Sequence, residues 1–413
     1  MLRLIYTLLT VTLLLSLVSF TSCVTEEPVE QEIVQTGAET LIANHLDELD
    51  GKRVGLVMNP TARIGETHML DTLMARGVNV QALYAPEHGF RGEAGAGEII
   101  EDGIDQETGL PVFSLYGSTR KPTAEMLEAV DILIFDMQDV GARFYTYIST
   151  LGLVMEAASE SEVPVWVLDR PNPLGGEHVS GWMLEEEFKS FVGPYPIPIV
   201  HGLTMGEMAQ MIAGEEWLEF VNAPDLKIIE MDGWSRDMLW PDTGLNWIAP
   251  SPNLAMFEQA YLYPGTVFFE GTSMSEGRGT DQPFLILGDP ETELQADSIR
   301  ALNEITDQLQ INSLTFTPRS IPGAAATPKH MDLESFGIQV KVNGYDFDPV
   351  RIGLKLFTTL VNATPDAEIN NFLYNLAGTR EIDKVISGEL DPLTLDFNTE
   401  EFKTKRLPYL LYD

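Results

Sequence analysis

Apolar residues along this chain fall into short unbroken runs, separated by stretches with helical spacing. Val54-Gly-Leu-Val-Met58 is one such run, closed by Asn59-Pro60, and it predicts a strand buried on both faces. A helix is expected over Thr67–Arg76, stopped by Gly77, and a second strand over Val78–Tyr84. Pro111–Leu115 predicts a third strand, Ala124–Val130 a helix, and Asp131–Phe135 a central strand. Leu151, Val154, Met155 and Ala158 share one helical face, and Val165–Leu168 reads as the next strand. Continuous apolar strands alternating with helices imply an α/β fold whose parallel sheet is covered on both sides.

The texture changes beyond residue 232. Residues 232–283 are rich in Gly, Pro, Trp and Asn with little periodicity, the mark of a long functional crossover. After it a helix is expected over Glu293–Leu309, a strand over Ile338–Val342 and a helix over Pro349–Asn362. This gives a main domain over 39–285 and a smaller α/β domain over 286–413.

The amino end has a different logic. Arg3 precedes an apolar stretch, Leu8–Phe20, and small Thr21 and Ser22 stand before Cys23, the single cysteine. That order predicts a signal peptide over 1–22, lipidation at Cys23, and an acidic tether over 23–38 holding the body to an envelope membrane, periplasmic or surface-facing. One cysteine also excludes an intramolecular disulfide and a cysteine metal cluster.

Composition narrows the partners. A formal net charge of −38 opposes nucleic-acid binding, which needs a positive footprint. A hydrophobic fraction of 44% with 9% aromatics excludes a mostly disordered acidic chain. No Gly-x-Gly-x-x-Gly follows the first strand and no Gly-Lys-Ser/Thr follows the Gly-Arg-Gly at 277–279, so no nucleotide cofactor is expected. The six histidines are scattered, so no metal is expected either.

Polar residues gather just after the apolar strands, where open α/β sheets bind ligands. Glu87, between Pro86 and His88 and close to Tyr84 and Phe90, is a candidate general acid, with a surface salt bridge to Arg91 as the alternative. His88 is a candidate for orienting it or for binding substrate. Asp136, Gln138 and Asp139 can accept sugar hydroxyls, and Asp136 or Asp139 can be a second carboxylate; capping or pairing with Arg143 is the alternative. Tyr145 and Tyr147 offer faces for a sugar ring. Asp169, Arg170 and Asn172 follow the Val165 strand, and His201 precedes a helix starting near Thr204. Late in the chain, Glu270 and Glu276 flank a Ser/Thr/Gly loop ending at Arg278. Arg91, Arg143, Arg170 and Arg278 all lie in such loops, which suits a carboxylated ligand, since Arg reads carboxylates bidentately.

The runs Asn59-Pro-Thr, Pro86-Glu-His-Gly-Phe-Arg-Gly, Thr108–Gly117, Phe135-Asp-Met-Gln-Asp-Val-Gly-Ala-Arg-Phe-Tyr-Thr-Tyr, Asp169-Arg-Pro-Asn-Pro-Leu-Gly-Gly, Ser251-Pro-Asn253 and Phe269-Glu-Gly-Thr with Glu276-Gly-Arg-Gly-Thr together resemble the NamZ-type exo-β-N-acetylmuramidases. The resemblance runs from about residue 40 to the carboxyl end. It implies a Rossmann-like catalytic domain, a smaller auxiliary domain, a cleft between them, and release of N-acetylmuramic acid from the non-reducing end of peptidoglycan fragments. The family's Pro-Glu-His-Gly glutamate falls on Glu87, and Asn253 joins the substrate-binding candidates. Asp139, Glu270 and Glu276 remain candidates for the second carboxylate, and the sugar's acetamido group is a further candidate nucleophile. Arg143 and Arg278 are the candidates for the sugar's lactyl carboxylate. A lipoprotein that binds muropeptides or acidic sugars without cleaving them is the alternative, and a hydrolase of another class, such as a de-esterifying enzyme, is a third reading.

Overall fold

Seven strands among the described residues build the main sheet: Val54–Met58 (β1), Val80–Ala85 (β2), Gly103–Ile104 (β3), Pro111–Ser114 (β4), Ile132–Asp136 (β5), Val165–Leu168 (β6) and Leu226–Ile229 (β7). The computed structural model describes residues 33–91, 102–219 and 221–413; Cys23, the segment 1–22 and the tether as far as residue 32 lie outside them. The strand order is β3-β4-β2-β1-β5-β6-β7, parallel throughout except for β3. The chain winds outward from β1 through β2 to β4, then returns to β5 on the other side of β1. The β1/β5 boundary is therefore a topological switch point, flanked by the carboxyl ends of β1 and β5 with that of β2 next to β1.

The unbroken apolar runs make sense once both faces are seen. Val57, Leu133, Phe135, Val165 and Val167 point to one side, into a core shared with Tyr147–Glu160 and Met205–Gly214. Their neighbours Leu56, Ile132, Ile134, Trp166 and Leu168 point to the other, where Met69, Leu70 and Leu73 of a helix over Met69–Ala75 cover them. A period of two with both faces covered leaves no room for a polar position.

Several expectations are corrected. The helix expected over Thr67–Arg76 begins at Met69, because Thr67–His68 pairs with Arg63–Ile64 in a two-residue hairpin. The helix expected over Glu293–Leu309 spans only Ala296–Asn303, and an eight-residue strand follows at Leu309–Phe316. That strand is half exposed, so its apolar positions are too sparse to declare themselves. Residues 33–38, expected as the end of the tether, are folded: Val34 is buried with Met231 and Trp234, Gln35 bridges Asp232, and Thr36 caps a helical turn at Gly37 in a capping box with Glu39.

The second sheet contains Ile286–Asp289 (β8), Leu309–Phe316 (β9) and Ser335–Val342 (β10), antiparallel in the order β8-β10-β9. Two features bind this part of the chain to the first. A helix over Phe257–Thr266 (α1), inside the segment expected to lack periodicity, packs on Pro349–Asn362 (α2) at a glycine crossing. A Cβ on Gly353 would overlap the Gly265 backbone, and one on Gly265 would overlap the Pro349 carbonyl.

The second feature is Arg143. Its side chain is fully buried. Nη1 donates to the carbonyls of Trp182 (2.7 Å) and Ile197 (2.9 Å), and Nη2 to those of Leu376 and Ala377 (2.9 Å each). Among the described residues no carboxylate pairs with it, and burial pulls its pKa down to about 9. Arg143 therefore joins the loop after β5 to the end of a short helix over Phe372–Ala377 (α3).

Two stability predictions come from these joints. Gly353→Ala gains helix propensity of about 1 kcal/mol, but the overlap is expected to win and to destabilise the protein by about 1–3 kcal/mol. A raised urea midpoint for this variant would contradict the crossing. Arg143→Met removes the donors of four buried carbonyls and is expected to cost about 3 kcal/mol or more, with Arg143→Lys recovering part of the loss in the same unfolding measurement.

Candidate active site

The site forms where the strand-end loops meet the second part of the chain. After β2 the backbone turns sharply: Gly89 N–H donates to the Pro86 carbonyl at 3.0 Å, and His88 and Gly89 both take positive φ, 75° and 80°. A left-handed histidine is a strained choice, of the kind that persists where the surroundings fix it. The turn sets Glu87 on the wall of a cleft of about 880 Å³. Thr146 Oγ1 donates to Glu87 Oε2 at 2.9 Å, and Tyr116 lines the same cleft close enough to feel the Glu87 charge. Burial, with the Glu87 charge adding to it, raises the Tyr116 hydroxyl to about 12, so it stays a proton donor at neutral pH.

The same cleft is lined by Glu270, Glu276 and Arg278. Arg278 Nη1 lies 2.6 Å from Glu270 Oε1 and 3.3 Å from Glu276 Oε1. Lys329 Nζ lies 2.9 Å from Glu276 Oε2 and donates to the Phe269 and Met274 carbonyls. The two carboxyls therefore differ. Burial pushes Glu270 up, with Arg278 opposing and the Glu276 charge reinforcing the rise. Glu276 is also buried, but Lys329 and Arg278 outweigh that and hold it ionised. The pair titrates as a unit, with Glu276 carrying the charge.

Of the residues expected from the sequence, Glu87, His88, Tyr145, Glu270, Glu276 and Arg278 line the cleft. Tyr145 stands edge-on to Tyr147, ring centroids 4.8 Å apart, and edge-on to Tyr263 at 6.1 Å. Tyr147 stands behind this layer: its hydroxyl donates to the Pro250 carbonyl at 2.9 Å and approaches the Glu87 carbonyl at 3.4 Å. Asn253 also works from behind, donating to the carbonyl of Ala324, a residue of the cleft wall.

The structure does not bring the others to the cleft wall, and in each case the reason is a partner found elsewhere. Asp136 and Arg170 form a buried bidentate pair at 2.5 and 3.1 Å. Gln138 donates to the Asp139 and Pro171 carbonyls. Asp139 accepts from Gly141 N–H at 2.7 Å, and burial, opposed by the Gly141 and Val140 amides, lifts it to about 7. Arg143 is taken up by its four carbonyls. Asp169 accepts from Thr204, Gly206 and Tyr412, and burial raises it to about 6. Asn172 bonds to the backbone of Leu203 and Leu174. His201 accepts from Leu203 N–H, and burial, with Arg406 and Arg143 nearby, lowers it to about 3. Arg91 pairs with Asp105, Glu107 and Asp71.

The sequence reading omits Tyr116, Arg120, Thr146, Phe191 and Lys329, all on the cleft wall. Tyr116 had a signal, since it stands just after strand β4 in the run 108–117. Thr146 lies between two tyrosines that draw attention from it. Lys329 arrives from a segment without periodicity, so only tertiary structure reveals it. Among the described residues no cluster of His, Cys, Asp or Glu could hold a metal ion.

Comparison with known proteins agrees with this architecture. Residues 54–258 match the family model described as exo-β-N-acetylmuramidase NamZ, N-terminal, and residues 261–412 match its C-terminal counterpart. The peptidoglycan β-N-acetylmuramidase NamZ of Bacillus subtilis (strain 168) is 43% identical over 339 residues, covering 81% of this chain and 78% of its own. Two crystal structures of DUF1343 family proteins from Bacteroides fragilis NCTC 9343 are similar to it. They give TM-scores of 0.80 and 0.76 at 32% and 34% identity, each covering 92% of this chain and 99% of its own. With both family models matched in sequence order and the α/β sheet in place, the chain belongs to the NamZ family of exo-β-N-acetylmuramidases.

Proposed function

We infer that this protein is a glycoside hydrolase that releases terminal N-acetylmuramic acid from the non-reducing end of peptidoglycan fragments, with Glu87 as the general acid. The observation that carries the residue assignment is one cleft holding a hydroxyl-braced Glu87 together with an Arg278-bridged carboxyl pair. Glycosidic cleavage needs a proton delivered to the leaving oxygen and a negative group near the developing oxocarbenium charge. Glu87 suits the first task, because the Thr146 hydroxyl fixes its orientation. The Glu270–Glu276 pair suits the second, because Lys329 and Arg278 keep one charge on it. Asp139, in contrast, is buried off the cleft, which favours the Glu270–Glu276 pair over it as the second carboxylate.

We also propose an envelope location with a lipid anchor at Cys23. The reading rests on Arg3, the apolar stretch 8–20, and small residues before the cysteine, and it fits a cell-wall substrate met outside the cytoplasm.

The purified protein is expected to release 4-nitrophenol from a β-N-acetylmuramide and not from the β-N-acetylglucosaminide. Glu87→Gln is expected to lower kcat on a natural disaccharide by about 10²–10⁴ while binding persists. The loss on the nitrophenyl substrate should be smaller, because that leaving group needs little protonation. Equal losses on both substrates would remove Glu87 from the acid role. Asp139→Asn is expected to retain turnover and to change the pH dependence of stability. Between about 4, its unfolded value, and about 7 the folded chain keeps a proton that the unfolded chain has lost. Asp139 therefore makes stability fall as pH rises through that window, and the asparagine variant should show a flatter profile in urea titrations at pH 4–7.

A further inference from the structure

Among the described residues, Arg120, Arg278, Lys329 and His88 are the basic side chains on the cleft wall. Arg278 is committed to Glu270 and Glu276, and Lys329 to Glu276 and two carbonyls. Arg120 differs. It is exposed, and among the described residues it has no carboxylate partner. Its guanidinium carbon sits 4.2 Å from the centroid of the Phe191 ring. That ring lies 6.3 Å from the Tyr116 ring, which lines the cleft together with Glu87. An arginine resting on an aromatic face keeps its N–H edges available for a ligand in its own plane.

This arrangement matters because the surroundings repel anions. The chain carries a formal charge of −38, and three carboxyl side chains line the cleft. N-acetylmuramic acid differs from N-acetylglucosamine by a lactyl ether whose carboxylate is ionised at neutral pH. A site built for it needs a cation not already neutralised. Arg143, expected from the sequence to meet this group, is spent on buried carbonyls, and Arg278 is spent on two glutamates.

We propose that Arg120, held on Phe191 at the cleft wall, recognises the lactyl carboxylate and sets the preference for muramic acid over glucosamine. The proposal rests on the glycosidase reading above and deepens it.

The test compares the purified protein with Arg120→Met and Arg120→Lys on three 4-nitrophenyl glycosides: the β-N-acetylmuramide, its neutral lactyl methylamide, and the β-N-acetylglucosaminide. The unaltered protein is expected to favour the acid over the methylamide by about tenfold or more in kcat/KM, as a charge-assisted contact implies. In Arg120→Met that ratio should collapse toward one, with the loss falling on the acid through KM, and Arg120→Lys should keep part of it. Thermal midpoints of the variants check that they are folded. A ratio in Arg120→Met equal to that of the unaltered protein would overturn the assignment, as would a parallel loss on acid and methylamide. Absence of muramide cleavage by the unaltered protein would instead overturn the glycosidase reading, and the assignment with it.

Discussion

The cleft depends on a guanidinium that never meets solvent. Arg143 follows the central strand and spends four N–H···O=C bonds on two distant stretches, Trp182/Ile197 and Leu376/Ala377. The next residues, Phe144, Tyr145 and Thr146, form cleft wall, and so do Phe372, Asn375 and Leu376 of α3. One side chain thus fixes wall residues from both parts of the chain, and Thr146 in turn braces Glu87. A buried cation without a carboxylate is costly to desolvate. Its lowered pKa reflects that cost, which the carbonyl dipoles offset.

Charge is distributed around this joint in a consistent way. The protein is strongly acidic overall, yet Arg143, Arg170, Arg236 and Arg406 are buried, where each satisfies acceptors at a junction. Arg170 closes on Asp136 at the end of β5. Arg236 closes on Glu207 and on the carbonyls of Gly176 and Gly202. Arg278 and Lys329 then control which of two neighbouring carboxyls stays ionised. Positive charge in this molecule organises polar groups that would otherwise repel one another or lie unsatisfied.

The α/β class and the strands of the sheet centre were legible in the sequence, because a strand covered on both faces has no polar positions to blur its pattern. The strands at Leu226–Ile229 and Leu309–Phe316 were not, since each is partly exposed and its apolar residues are diluted. Helix α1 was hidden by Pro264 and Gly265, residues that ordinarily end helices, and Gly265 here serves the close crossing with α2. At the site, Glu87 was legible from its proline and glycine neighbours. Asp136, Arg143, Asp169 and Arg170 were not assignable, because a charged residue after a strand looks the same whether it faces a ligand or a buried partner. Arg120 and Lys329 reach the cleft only through tertiary structure.

The glycine contact between α1 and α2 has a bearing on motion. Helices separated by side chains can slide by small rotamer adjustments, which is how shear closure proceeds. Here the Gly265 and Gly353 backbones touch, so no such compliant layer exists, and a shift along the crossing would drive backbone into backbone. Helix α1, which carries the cleft residue Tyr263, is therefore held in place before substrate arrives. On that side of the cleft the wall is set by contact between backbones and not by adjustable side chains.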